Sequence, residues 1–303
     1  MAKKDMKIFI SSDMEGAAGT FCWHDVKAGT NEHKKYSYSQ SIELEHLMDA
    51  IRHHGNEIRD AMNYVRGYNS GNGAELKREF VIRDAHGAGN NILVEEIRHL
   101  DPIVLQNWRG ANEFCMMSGL DGTFDFAILH GYHAAGGTNM SSLAHTFNSE
   151  HFKEFRLNGE IIGEVGFAIY TAAYAGVPVI MISGDSGAVR EAKAINPNIL
   201  GVETKDFVDG QLRWMAAAPS VNNELEIIAS AALGHLERAP EKFKVELPET
   251  FALRLTYSSE RQALLQPRKI PNVTRVASNT VEFKTGDFGI LLKTLRQLKF
   301  LVK

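Results

Sequence analysis

The sequence predicts an α/β fold, a mainly parallel sheet flanked by helices, with a smaller C-terminal α+β subdomain. Three observations lead there. Short apolar, β-branched runs recur through the first two-thirds of the chain, stretches of helical periodicity separate them, and near residue 200 this rhythm changes. Strands separated by helices need crossover connections, the mark of parallel pairing.

The strands are expected at KIFIS (7–11), EFVIRD (79–84), PIVLQN (102–107), DFAILHGY (125–132) and VPVIMIS (177–183). Helices are expected at 41–68, 90–100, 163–176 and 186–196, several closed by glycine. Beyond 200 the pattern reads as an amphipathic helix over 222–243 ended near Pro240, then a strand over 244–257. A further strand and a terminal helix come within 279–302. The expected division is a catalytic α/β domain over 1–199 and an α+β subdomain over 200–303.

Composition narrows the function. Of 303 residues, 44% are hydrophobic and 23% charged, as in ordinary globular proteins, and the formal net charge is −4. No basic excess is present to serve a nucleic-acid or anionic-membrane partner, so neither is expected. Cys22 and Cys115 lack the paired spacing of a disulfide framework or a cysteine zinc site. The opening MAKKDMKIFI is interrupted at once by SSDMEG, too short for a signal peptide, and no run of about 18 apolar residues occurs. A cytoplasmic protein is expected.

The residues just beyond each strand carry the chemistry, because ligands of open parallel sheets collect at the strands' carboxyl ends. Asp13 and Glu15 come after the first strand, and Asp84 and His86 at the end of the second. His133 comes after DFAILHGY, with His145 twelve positions on, and Glu164 opens the apolar helix after LNGEIIG. Each has an ordinary reading alone: a first-turn carboxylate, a turn histidine, a capping glutamate. His53 and His54 read as surface or boundary residues, His130 as structural, and Cys22, Trp23 and His24 as a packed loop. Together, Asp13, Glu15, His86, His133 and Glu164 suit divalent cations, zinc first, with manganese or cobalt as alternatives. If one carboxylate bridges, the five fill three positions on each of two ions, a recurrent hydrolytic device.

The ordered set SSDMEG, DAHG, HGYHA with LAHTF, NGEIIGEVG and VPVIMISGD, spread over about 7–195, resembles the D-aminopeptidase family. The resemblance implies a binuclear zinc aminopeptidase with Asp13 as the bridging ligand and Glu15, His86, His133 and Glu164 as the others. It implies His145 as the catalytic residue, described in the family as a nucleophile, although imidazole also suits acid–base work near pH 7. It further implies a homo-oligomer, a decamer of two stacked five-membered rings acting on short peptides, D-Ala-D-Ala among them. LAHTF departs from the SHS that relatives often carry around this histidine, which bears on substrate preference. Two other readings compete. A binuclear phosphoesterase is suggested by RDAHG and SGDSG, and a closed, non-catalytic metal-stabilised binding protein by the ligand set alone.

Overall fold

The first expected strand becomes β1 (Met6–Ser12), in which Ile8, Phe9 and Ile10 are completely buried. Strand side chains alternate between faces, so Ile8 and Ile10 enter one core and Phe9 the other. A strand apolar on both faces belongs in the middle of a covered parallel sheet. The computed structural model describes residues 5–54, 77–107 and 112–300, and there β1 is central. It pairs in parallel with β2 (Arg78–Asp84) on one side and β4 (Phe126–Tyr132) on the other. β3 (Ile103–Leu105) extends the β2 side, while β7 (Val179–Asp185) and β8 (Leu200–Val208) extend the β4 side, all in parallel. β9 (Gln211–Met215) runs antiparallel to β8 and closes that edge.

Helices cover both faces. Leu44, Leu47, Met48 and Ile51 recur at helical spacing on α2 (Asn31–His53) and join Val221, Leu225 and Leu233 of α6 (Ala218–Arg238) under one face. The N-terminus of α2 is capped by Thr30, whose hydroxyl accepts the His33 N–H at 2.9 Å. Against the other face lie Val165, Ile169 and Ala172 of α4 (Glu164–Tyr174), and Ala188, Val189 and Ala192 of α5 (Ser186–Ile195).

A second, antiparallel sheet holds β5 (Phe152–Leu157), β6 (Glu160–Ile161), β10 (Phe251–Tyr257), β11 (Val273–Ala277) and β12 (Thr280–Thr285). On β10, Phe251, Leu253, Leu255 and Tyr257 alternate inward. They pack with the apolar side of α8 (Phe288–Phe300), while α7 (Glu260–Lys269) adds Ala263 to the same core.

The α/β class and mainly parallel sheet are as the sequence predicts, and several local expectations are corrected. The 90–100 helix shortens to α3 (Val94–Ile97) plus a 3₁₀ turn at Arg98–Leu100, because the preceding loop hangs on Asp84. The 222–243 helix begins at Ala218, with Pro219 in its first turn, and Pro240–Phe243 forms a separate 3₁₀ turn. Within 244–257 only Phe251–Tyr257 is paired strand. The 41–68 helix begins earlier, at Asn31, and its 55–68 part lies outside the described residues. The division expected at 199/200 does not coincide with the division between sheets. β8, β9 and α6 belong with the first sheet, and β5 and β6, from before 200, with the second.

Strand order decides where a ligand can sit. From β1 the chain proceeds outward through β2 and β3, then returns to the other side of β1 and proceeds through β4, β7 and β8. The reversal lies between β1 and β4, and there the connections leave in opposite directions and open a crevice at the carboxyl edge.

Candidate metal centre

Asp13 leaves β1 at this crevice with its N–H on the His130 carbonyl at 2.8 Å, and Gly16 donates to the Gly131 carbonyl at 2.8 Å. Gly131 has φ +68°, and a Cβ there would lie 2.3 Å from the Asp13 carbonyl oxygen, so only glycine lets β4 and the Asp13 loop run this close. At the end of β2, Asp84 accepts the N–H groups of Asn91 (2.5 Å) and Ile92 (2.9 Å). The Asn91 side-chain amide donates to Asp84 at 2.7 Å and to the His86 carbonyl at 2.7 Å, closing the loop that presents His86. Asp84 therefore shapes the site from behind. His133 comes directly after β4, and Glu164 is the first residue of α4, its Oε1 accepting the Phe147 N–H at 2.6 Å.

All six residues picked from the sequence meet. His86 Nδ1 lies 2.8 Å from Glu15 Oε2 and 3.5 Å from Asp13 Oδ1. His133 Nε2 lies 3.4 Å from Asp13 Oδ2 and 3.6 Å from Glu164 Oε1. His145 Nε2 lies 3.8 Å from Glu164 Oε1 and 4.0 Å from Glu15 Oε1, and its ring stacks on His133 at 4.1 Å. Asp13, Glu15 and His86 form one set with donor atoms within 4.8 Å of each other; Asp13, His133 and Glu164 form a second, and Glu15, His133 and His145 a third. Asp13 thus sends one oxygen to each imidazole of the first two sets.

The donor chemistry fits divalent cations. Each imidazole turns its far nitrogen to a backbone carbonyl: His86 Nε2 to Val26 (2.8 Å), His133 Nδ1 to Ala134 (3.0 Å) and His145 Nδ1 to Leu143 (2.9 Å). A carbonyl can only accept, so these contacts fix the tautomers and aim the near nitrogens' lone pairs into the cluster, as at metal-binding histidines. Asp13 Oδ2 and His133 Nε2 are buried with no hydrogen-bond partner among the described residues. Buried polar atoms are rarely left so, and a shared cation would satisfy both.

Without a cation, the charges compete for protons. Burial, reinforced by Glu15, pushes the Asp13 carboxyl up to about 8. Burial also opposes the ionised Glu164, but the neighbouring His133 imidazole, then His145 and the Phe147 N–H, outweigh it and hold the group down at about 2. Against the burial cost of their own charge, His86 and His133 are raised well above the usual imidazole range, by Glu15 and Asp13 for the first and chiefly Glu164 for the second. His145 is lowered, by burial and then by His133. It is the neutral imidazole of the three.

Neighbouring residues sort into roles. His130, read as structural, is fully buried: Nδ1 meets Ser12 Oγ at 2.9 Å and Nε2 meets Glu43 Oε2 at 3.2 Å, while Glu43 Oε1 accepts the Ala18 N–H. Trp23, read as part of a packed loop, is 43% exposed and stands edge-on to His145 with ring centroids 5.1 Å apart. Lys205 on β8 has no signal in the sequence. Its buried ammonium donates to the carbonyls of Glu15 (2.5 Å), Thr20 (2.5 Å) and Ala17 (3.3 Å) and to the Thr20 hydroxyl (2.7 Å), fastening the Asp13–Glu15 loop. The two fragments that suggest a phosphoesterase have structural work. Asp84 holds its loop, and Asp185 caps α5 through the Ala188 N–H (2.9 Å) while accepting the Ala134 N–H (3.0 Å).

Known proteins share this sequence pattern and architecture. A D-aminopeptidase of Bacillus subtilis (strain 168) is 28% identical over 204 residues, an alignment covering 67% of this chain and 65% of the relative. A solved structure, the Zn-dependent D-aminopeptidase DppA from Bacillus subtilis, described as a self-compartmentalizing protease, has the same fold. Its TM-score is 0.78 at 23% identity, over 98% of this chain and 97% of that one. The D-aminopeptidase family pattern (Peptidase_M55) runs through residues 6–297, nearly the whole length, and the chain belongs to that family.

Proposed function

We propose that the protein is a metal-dependent aminopeptidase that removes the N-terminal residue of short peptides, D-residue peptides such as D-Ala-D-Ala among them. Its centre takes two divalent cations, zinc by preference, with manganese or cobalt as substitutes. Asp13 would be shared between them, with Glu15 and His86 on one side and His133 and Glu164 on the other. The observation that carries this reading is the placement of Asp13 in two separate carboxylate–imidazole sets, one per oxygen. Family membership and the zinc-dependent relative of the same fold support it.

Bound there, the ions supply Lewis acidity toward the scissile carbonyl and activation of water. The chain's own groups do the rest. The His145 Nε2 lone pair faces the cluster while Leu143 holds the Nδ1 proton, so Nε2 is placed to take a proton during attack and return it to the departing amine. The lowered basicity of His145 keeps that nitrogen free near neutral pH. Burial of His133, Glu164 and most of His145 limits bulk water around the reacting carbonyl, which strengthens every charge interaction in the crevice.

Assembly accords with the same reading. The relative's description as self-compartmentalizing supports a closed homo-oligomer; a decamer is the specific form proposed. Among the described residues no helix is long and apolar enough to cross a membrane. A short peptide as the partner follows from the family reading, and the location proposed is cytoplasmic. Metal analysis of the purified chain with turnover on paired D,D- and L,L-dialanine tests the reading. Near two zinc ions per chain with faster D,D-cleavage are expected; a chain that binds no zinc and cleaves neither dipeptide overturns it. Light scattering tests the decamer.

A further inference from the structure

Glu164 opens α4 without a capping side chain of its own: the N-cap residue is Gly163, and no side chain from within the segment bonds the first turn. The acceptor comes from another helix. Glu191, one turn into α5, takes the N–H of Gly163 at 2.7 Å and of Gly166 at 2.9 Å on the same oxygen, Oε1. These amides bracket Glu164. Both glycines sit where a side chain would collide: a Cβ on Gly163 would stand 2.7 Å from Glu191 Oε2 and 2.8 Å from Ala135 Cβ, and one on Gly166 2.8 Å from Glu191 Oε1 and 2.6 Å from Ile162 Cγ1.

A serine, threonine or aspartate at 163 would cap the helix locally with one side chain. The chain instead uses Gly163, a cap with no side chain, and Gly166, which costs helix stability inside the first turn, and brings in a second buried carboxylate behind the first. Stability alone gives no reason for that choice. Position does. With both flanking amides fixed, the first turn of α4 cannot rotate, and Glu164 Oε1 is held 3.6 Å from His133 Nε2 and 2.6 Å from the Phe147 N–H.

We infer that Glu191 is a positioning residue for the centre, a carboxylate that orients Glu164 by clamping the Gly163 and Gly166 amides. The inference rests on the two-ion reading of the centre. Outer partners of metal ligands typically contribute about ten- to a hundredfold to affinity. Glu191→Ala should therefore weaken one of two zinc sites about tenfold or more, leave the other near its parental value, and lower kcat with KM little changed. Glu191→Gln keeps an oxygen acceptor for both amides and should restore both sites.

The test is competitive zinc titration of the full-length parent, Glu191→Ala, Glu191→Gln and Gly166→Ala against a chromophoric chelator, with kinetics alongside. Gly166→Ala crowds Ile162 Cγ1 as well as Glu191 Oε1, so it is made in the Ile162→Ala background, where the carboxylate alone is displaced, and should reproduce the loss seen in Glu191→Ala. If Glu191→Ala does not fold, the contrast between Gly166→Ala and Glu191→Gln carries the test in its place. Parental zinc binding in either weakened variant, or a Glu191→Gln as poor as Glu191→Ala, overturns the clamp while leaving the two-ion reading intact. A parent that binds no zinc ends both, and does so before any variant is compared.

Discussion

The two sheets of this molecule reach the crevice in different ways. Every strand of a parallel array leaves by the same edge, so β1, β2 and β4 deliver Asp13, Glu15, His86 and His133 to one place as a consequence of strand direction. In the antiparallel sheet successive ends point opposite ways, and β6 alone leads to a member of the cluster, Glu164. Convergence is thus built into one sheet and has to be arranged for the other. The supports differ accordingly: buried Lys205 gathers carbonyls of the Asp13–Glu15 loop, whereas Glu191 gathers amides around Glu164.

Substitutions can break this comparison from either side. Asp13→Ala should have the largest effect, because it removes the residue common to both sets: both zinc ions should be lost on metal analysis, and turnover should fall below detection. His145→Ala should keep near two zinc ions and reduce kcat roughly a hundred- to ten-thousandfold, the usual worth of a general acid–base group. Loss of one zinc instead would make His145 a ligand through the Glu15–His133–His145 set. Leu255→Ala, in the core of the antiparallel sheet, should cost about 2–5 kcal/mol of stability by calorimetry and leave zinc affinity of the folded chain unchanged.

Lys205→Met should do the reverse. Removing the ammonium relieves its burial, which already lowers its basicity to about 8, and the Thr20 hydroxyl, 2.8 Å from both the Glu15 and the Ala17 carbonyl, keeps its one proton for either of them. The melting temperature should move little. The loop loses its tie to β8, so zinc affinity should fall about tenfold. Equal melting and zinc losses in Leu255→Ala and Lys205→Met would erase the distinction between the sheets.

The same contrast explains what was legible in the sequence. Buried parallel strands are continuous apolar runs, so β1, β2, β4 and β7 stand out, and reading the polar residues just beyond them finds Asp13, Glu15, His86 and His133. β8 carries Thr204, Lys205 and Asp206 buried in a row, which hides it as a strand and hides Lys205 as a support. β5 alternates Phe152, Phe155 and Leu157 with charged residues over a short span, and only its pairing with β10 gives it a place in the second sheet. Glu191 lies in an ordinary amphipathic helix, and its partners are backbone amides 25 and 28 residues upstream. Unlike a local helix cap, a main-chain contact this far along the chain leaves no residue pattern.

Acidity offers the finest discrimination, because the metal-free cluster holds protons that cations must displace. Asp13, ordinarily near 3.8, is pushed up to about 8 by burial and Glu15, and His86 and His133 stand well above 6.5. In each case the folded chain binds more protons than the unfolded chain across pH 6–8. The slope of unfolding free energy against pH tracks the protons bound unfolded minus those bound folded, so it is negative here and metal-free stability should fall as pH rises. The depressed Glu15 and Glu164 have the opposite slope only below about 4.5, outside this window; His145 and Lys205, whose basicity burial lowers, oppose within it but are outnumbered by Asp13, His86 and His133. Zinc replaces the protons, so its apparent affinity should rise over the same interval and the loaded protein should keep its melting temperature. Melting curves of chelator-treated and zinc-loaded protein at pH 6 and pH 8 give the comparison directly. A chelator-treated protein that melts higher at pH 8 than at pH 6 would mean that these groups do not carry the protons in the folded chain.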